Sequence, residues 1–317
     1  MVRTSLRSSL PADAGPLPLS SAGREGVYSK HFDACGPSSR ALARRTLRSF
    51  QATDNPTNKE KNKMLFFPNA KINLGLNVVA KREDGYHDIE TVFVPVPDLY
   101  DVLEVVFSER NGFTLYGASL DCTADDNLCM RACRRMQEKY GLPPVWINLY
   151  KKIPTGAGLG GGSADAAFTI RALDTLFDLN LTEEQMALEA AALGSDCPFF
   201  IYNRPMFASG RGEVLEDVDI PALDSLEIKV RPQKEFVSTA QAYAGITPGR
   251  PEISLKEAVT KPVSQWKEVI FNDLEKTVFE KHPSLARAKE DLYRQGAVYA
   301  AMTGSGSAIY SLSQRSS

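Results

Sequence analysis

Five glycines fall within seven positions of the segment Pro154-Thr155-Gly156-Ala157-Gly158-Leu159-Gly160-Gly161-Gly162-Ser163-Ala164-Asp165-Ala166-Ala167. A strand-like run, Val145–Tyr150, precedes this segment, and a helical pattern over Ser163–Phe177 follows it. Glycine allows positive φ and lets a ligand approach the backbone. The helix adds unpaired N–H groups and a positive dipole end. Together they predict an anion site suited to a nucleotide polyphosphate, with the alanines keeping the first helical turn slim. Gly156, Gly158 and Gly161 also satisfy G-x-G-x-x-G. A dinucleotide fold would then want a second strand ending in an acidic residue roughly 20 positions on. Near residue 181 the chain is instead leaving one helix and capping the next. A Walker A loop needs Gly-Lys-Ser/Thr, and no lysine stands between Gly162 and Ser163. A protein-kinase glycine loop joins two strands, whereas this one opens a helix.

Around the loop, strands are predicted over Leu65–Phe67, Ile72–Val79, Ile89–Val96, Val102–Phe107 and Phe113–Tyr116. Phe199–Tyr202, Met206–Ala208, Leu226–Val230, Ala297–Met302 and Ala308–Leu312 read as further strands. Helices are expected over Asn127–Tyr140, after the Thr182 cap, over Ser238–Ala244 and near Trp266–Ile270, Asp273–Lys281 and Ser284–Gln295. Helices interleaved with strands give a mixed α+β class. The segment Pro221–Ser225 reads as a junction, so domains are expected over 64–221 and 222–317.

Residues 1–63 differ from the rest. They hold 11 lysines and arginines against 5 acidic residues, so they carry +6 and the remaining 254 residues carry −8. The head has three readings: an organelle transit peptide, a disordered tail, or translated upstream sequence with Met64 as the start. The patterned strand beginning at Met64 favours the last. The acidic body argues against nucleic-acid binding, which uses a basic face. No stretch nears 18 consecutive apolar residues, which argues against a membrane-spanning helix. Five cysteines without a C-x-x-C pair, and three histidines far apart, argue against zinc. Buried, reduced thiols are expected, in a reducing compartment. That means the cytoplasm, or a plastid if the head is a transit peptide.

Three separated segments resemble the GHMP family of small-molecule kinases: Pro68-Asn69-Ala70-Lys71-Ile72-Asn73-Leu74, the glycine loop, and Ala301-Met302-Thr303-Gly304-Ser305-Gly306-Ser307. Asp84-Gly85-Tyr86-His87 and Gly194-Ser195-Asp196-Cys197-Pro198-Phe199-Phe200 narrow the resemblance to the branch acting on 4-diphosphocytidyl-2-C-methyl-D-erythritol. The resemblance covers about residues 65–312. It implies an N-terminal domain like domain 2 of ribosomal protein S5 and a ferredoxin-like C-terminal domain. It further implies transfer of the ATP γ-phosphate to the substrate's 2-hydroxyl, in the non-mevalonate isoprenoid route.

By this resemblance ATP lies on Pro154, Gly156, Ala157, Gly158, Leu159, Gly160, Gly161, Gly162 and Ser163, with Asn127, Leu128 and Lys152 near adenine. Asp196 is the catalytic aspartate, in a loop before an apolar strand, and Lys71 orients it and offsets charge at the reacting centre. A carboxylate beside a lysine is a weak base. Phosphoryl transfer tolerates that, because its loose transition state relies on positioning. Tyr86 and Tyr243 form an aromatic sandwich for cytosine, His87 offers it a donor and an acceptor, and Asn73 contacts substrate. Ser163 serves either the phosphates or only the helix cap. Mg²⁺ is implied by the chemistry, with no protein ligand assigned to it. A ferredoxin-like domain normally ends in a further helix and edge strand, so the last domain is expected to be shortened.

Overall fold

The computed structural model describes residues 63–120 and 122–315. The three readings of the basic head therefore fall outside the described residues, as does Cys35. Two of the sheets share the region before residue 221. The first has the order β1-β4-β6-β5, formed by β1 (Lys63–Phe66), β4 (Val102–Phe107), β6 (Val145–Lys151) and β5 (Gly112–Gly117). Its β5 runs parallel to β6, and its other pairings are antiparallel. The second is antiparallel throughout, with the order β2-β3-β7-β8. It comprises β2 (Asn69–Lys81), β3 (His87–Tyr100), β7 (Met206–Ser209) and β8 (Val214–Asp217).

Helices α1 (Leu128–Tyr140), α2 (Gly161–Leu176), α3 (Glu183–Ala191) and α4 (Cys197–Tyr202) supply much of the first core. Met136, Ile147, Leu173 and Phe199 meet there at 0% exposure. Burying each such side chain contributes about 1.5–3 kcal/mol. Local signals start these helices where the sequence says. Asn127 caps α1 by accepting from the Cys129 N–H at 2.9 Å. Thr182 and Gln185 form a reciprocal capping box at α3.

The third sheet is antiparallel, with the order β10-β11-β9, from β9 (Leu226–Arg231), β10 (Tyr299–Met302) and β11 (Ile309–Gln314). Helices α5 (Thr239–Tyr243), α6 (Leu255–Ala258), α7 (Val263–Val269), α8 (Leu274–Lys281) and α9 (Pro283–Arg294) lie between β9 and β10 in the chain. Two cores cross the expected boundary at 221. One joins Ile72, Leu74 and Val94 to Trp266 and Tyr310, and the other joins Leu76 and Val78 to Leu274 and Met302.

The structure corrects several expectations. Phe199–Tyr202 is helical: it belongs to α4, which has Pro198 in its first turn and Asn203 in the left-handed conformation at its end. Asp196 therefore stands at a helix N-terminus rather than in a loop before a strand. Both β8 and α6 escaped the sequence pattern. Of the thiols expected to be buried, Cys129, Cys133 and Cys197 are, whereas Cys122 is exposed.

Candidate active site

Lys71 sits on β2, a strand covered on both faces, and is 3% exposed. Its Nζ donates to Asn73 Oδ1 at 2.6 Å and lies 3.5 Å from Asp196 Oδ2. The ammonium is also 5.0 Å from the Phe93 ring centroid. Burial lowers the Lys71 pKa from the ordinary lysine range, and the Asp196 carboxylate opposes that shift. Asp196 makes no side-chain hydrogen bond to its helix, and its side chain is 34% exposed, so the carboxylate is open to an incoming group.

Asn73 holds this arrangement from behind. Its amide donates to Thr91 Oγ1 at 2.9 Å, and the Thr91 hydroxyl donates to the Gly75 carbonyl at 2.6 Å. The Asn73 side-chain oxygen is engaged by Lys71, with Thr303 Oγ1 3.3 Å away.

The glycine loop is stitched on two sides. The Lys71 N–H donates to Leu159 O at 3.0 Å, and the Thr303 hydroxyl donates to Gly158 O at 3.1 Å. Thr303 Oγ1 also accepts from the Asn73 N–H at 3.0 Å, so the turn between β10 and β11 locks the loop against β2. Gly158 has φ +76°, and a Cβ there would stand 2.1 Å from the Thr303 carbonyl oxygen. Only glycine combines that conformation with that approach. Gly160 caps α2 in the left-handed region, so Ser163 belongs to the first helical turn and is not the cap. Burial pushes the Cys197 thiol up to about 11, with Ser163 opposing the shift.

These groups line one cavity of about 1120 Å³. That exceeds the usual single-ligand range of about 300–1,000 Å³ and leaves room for a nucleotide beside a second ligand. Lys71, Asn73, Asp196, Leu128, Pro154 and the loop from Gly156 to Ser163 line it, with Tyr86, His87 and Tyr243. Asn127 and Lys152 fall outside that lining. Asn127 is engaged as the α1 cap, and the Lys152 ammonium lies 5.5 Å from the Tyr100 ring centroid.

The aromatic groups pair differently from the expected sandwich. Tyr243 stacks on His87 with ring centroids 5.1 Å apart and planes at 25°, while Tyr86 is 59% exposed. Burial pushes the Tyr243 hydroxyl up to about 12, with the Asp196 charge adding to the effect.

Arg211 and Phe236 are among the cavity residues that sequence reasoning missed. The Arg211 guanidinium lies 5.1 Å from the Tyr86 ring centroid, in the turn joining β7 to β8. Phe236, 72% exposed, stands at the rim beside Gly156. Neither belongs to a recurring motif, so no sequence signal marks them. The Gly210-Arg211-Gly212 turn was the nearest hint.

Residues 127–204 match the family described as GHMP kinases N terminal domain, and residues 255–317 match GHMP kinases C terminal. The chain is 48% identical over 252 residues to 4-diphosphocytidyl-2-C-methyl-D-erythritol kinase of Parabacteroides distasonis, covering 80% of this chain and 92% of that one. The protein of the same name from Bacteroides thetaiotaomicron is 49% identical over 253 residues, covering 78% and 92%. A crystal structure of 4-(cytidine 5'-diphospho)-2C-methyl-D-erythritol kinase superposes with TM-score 0.68 at 33% identity, over 78% of this chain and 90% of that one. Homoserine kinase from Cytophaga hutchinsonii, at 18% identity and TM-score 0.60 over 82% and 88% of the two chains, shares the fold.

Proposed function

Because this chain belongs to the GHMP kinase family, within its 4-diphosphocytidyl-2-C-methyl-D-erythritol kinases, we propose that its cavity transfers the ATP γ-phosphate to that substrate's 2-hydroxyl. The chain is a small-molecule phosphotransferase of the non-mevalonate isoprenoid route. The observation that carries the reading is the Lys71–Asp196 pair, placed in one cavity with the glycine loop and with the His87, Tyr86 and Tyr243 rings.

The chain's own residues divide the work. Backbone N–H groups of the glycine loop and of the first turn of α2 hold the polyphosphate. Lys71 and Asn73 fix the Asp196 carboxylate, which receives the acceptor hydroxyl's proton late in a loose transition state. Lys71 also offsets the negative charge that gathers at the transferring group. Tyr86, His87 and Tyr243 take the cytosine ring, by stacking and by edge hydrogen bonds. In this reading the His87–Tyr243 stack parts or offers an outer face to the base.

Asp196 is the one carboxylate among the residues lining the cavity, and the described residues contain no cluster of three acidic, histidine or cysteine ligands. That donor set suits Mg²⁺ carried by the nucleotide and held mainly by phosphate oxygens and water. Such an ion would neutralise phosphate charge.

Residues 64–221 carry the nucleotide site and 222–317 the Tyr243 side of the substrate site. We place the protein in the cytoplasm. Free thiols support that placement. Among the described residues no helix is long and apolar enough to cross a membrane. No nucleic acid takes part.

The test is turnover of ATP with the cytidyl substrate, with the product's phosphate located by phosphorus–carbon coupling in NMR. The expected product carries phosphate on the 2-hydroxyl. A phosphate elsewhere, or no product, overturns the reading. Asp196→Asn is expected to lower kcat by about 10²–10⁴ with ATP affinity retained. Near-normal turnover would remove Asp196 from the mechanism.

A further inference from the structure

Three ionisable side chains that the proposed chemistry does not use lie buried directly beneath the glycine loop. The Lys151 ammonium at the end of β6 donates to Asp101, between β3 and β4, and to Asp165 Oδ2 of α2 at 2.7 Å. Their side chains are 1%, 0% and 4% exposed. Asp101 is well supplied with donors and keeps one acceptor site. Besides Lys151 it accepts from the backbone N–H of Lys152, and from that of Ile153 at 2.8 Å. Asp165 is less well supplied, because its Oδ1 is buried with no donor facing it. Both carboxyls hold the same Lys151 ammonium, which brings the Asp165 carboxyl beside Asp101.

Two carboxylates sharing one ammonium would leave a net −1 buried against a loop that must receive polyphosphate. They would also leave one carboxylate oxygen bare and without the water it gave up on burial. One proton removes both difficulties. An Asp165 O–H can donate to Asp101, and the trio becomes neutral. The Asp165 Oδ1, which faces no donor, is the atom that such a proton would satisfy.

The trio also has the right position. Asp101 grips the two backbone N–H groups where the chain leaves β6 for the loop. Asp165 lies in the first turns of α2, where the loop ends. Between them the Lys151 Nζ sits close under the loop, 2.9 Å from where a Cβ on Gly161 would stand.

We propose that Asp165 holds a proton shared with Asp101, and that the resulting neutral Asp101–Lys151–Asp165 trio positions the glycine loop for nucleotide phosphates. Asp165 is thus a positioning residue. The inference rests on the reading that this loop binds the nucleotide. Burial pushes the Asp165 carboxyl up to about 8, with the Asp101 charge adding and the Lys151 charge opposing. For Lys151, burial lowers the pKa, but the two carboxylates together outweigh it and hold the group above the usual lysine range. The other titratable group facing Asp165 is Cys129 of α1, whose thiol burial raises far above ordinary thiols. Lysine and thiol therefore keep their protonation while Asp165 titrates. Loss of its proton above pH 8 would restore a buried −1 beneath the phosphates.

The test is ADP binding by calorimetry on the full chain from pH 7 to pH 9.5, with no acceptor present. Affinity is expected to fall about tenfold across the range. Asp165→Asn, whose amide can donate to Asp101 as the acid would, is expected to give a flat profile. A flat profile in the unaltered protein overturns the proposal. So does an unchanged fall in Asp165→Asn, which would assign the titration to Lys71 instead. Should Asp165→Asn fail to fold, infrared spectroscopy of the unaltered protein decides. The carbonyl stretch of a protonated buried carboxyl must be present at pH 7 and vanish through about pH 8, and its absence at pH 7 overturns the proposal. No ADP binding at any pH would instead defeat the reading of the loop as a nucleotide site, and the inference with it.

Discussion

Lys71 gains its chemical value from being placed where a lysine is uncomfortable. The residue is 3% exposed, and its ammonium faces Asp196 and the Asn73 amide oxygen, which favour its charge. Because burial lowers its pKa, Lys71 loses its proton at lower pH than a surface lysine would. The sign for activity follows: the charge that orients Asp196 is present below the lowered pKa and is lost as pH rises through it. At saturating nucleotide, kcat is expected to fall on the alkaline side before the ordinary lysine range near 10.4 is reached. Lys71→Arg cannot deprotonate in that range, so its smaller kcat is expected to keep a flat alkaline side. A pH–rate series on both proteins checks this, and coincident alkaline limbs would mean that another group titrates. Taken singly, neither Lys71 nor Asp196 was legible in the sequence, where a lysine and a turn aspartate are commonplace. They became legible only together, through motifs in a recognisable order. Arg211 and Phe236 never did, because they reach the cavity through tertiary placement alone.

At the scale of elements, the glycine loop shows where local sequence dictates structure and α4 shows where it does not. Strand, loop and helix follow one another as composition and spacing require. Phe199–Tyr202 instead presents four apolar residues in a row, and a short apolar run carries no period to separate strand from helix. The deciding signals stood at its ends: Pro198, favoured in a first helical turn, and Asn203, tolerant of the left-handed region. The outcome matters because the helix holds Asp196 at its N-terminus. Gly158→Ala tests how tightly the loop is built. Its φ of +76° costs an L-residue about 1–3 kcal/mol. The 2.1 Å approach to the Thr303 carbonyl adds a clash with backbone, which cannot rotate away. A Tm lowered by several degrees is expected, with a rise in KM for ATP larger than that for the cytidyl substrate. An unchanged Tm would mean that the loop and the β10–β11 turn are not locked together.

Over the whole molecule, the division at residue 221 is plain in the sequence and far less so in the packing. Pro221–Ser225 punctuates the chain, and strand and helix patterns restart after it. Hydrophobic periodicity reports which face of an element is buried but not against what, so it cannot show that β2 is shared. One side of β2 puts Ile72 and Leu74 with Trp266 and Tyr310, and further along Leu76 and Val78 pack with Leu274 and Met302. Lys71 and Asn73 lie on this same strand, and the Tyr310 hydroxyl donates to Asn73 O at 2.9 Å. The active-site lysine is thus held by a core that both halves build, and loosening either half should unsettle it. The two tryptophans report on the two halves: Trp146 in β6 and Trp266 in α7. Trp146→Phe and Trp266→Phe each leave one fluorophore for urea unfolding. The shared core requires coincident midpoints and equal slopes, with loss of ADP binding at the same denaturant concentration. A Trp266 transition well before that of Trp146 would show that residues 222–317 unfold as a separate unit, and that the boundary at 221 is an energetic one as well as a break in the sequence.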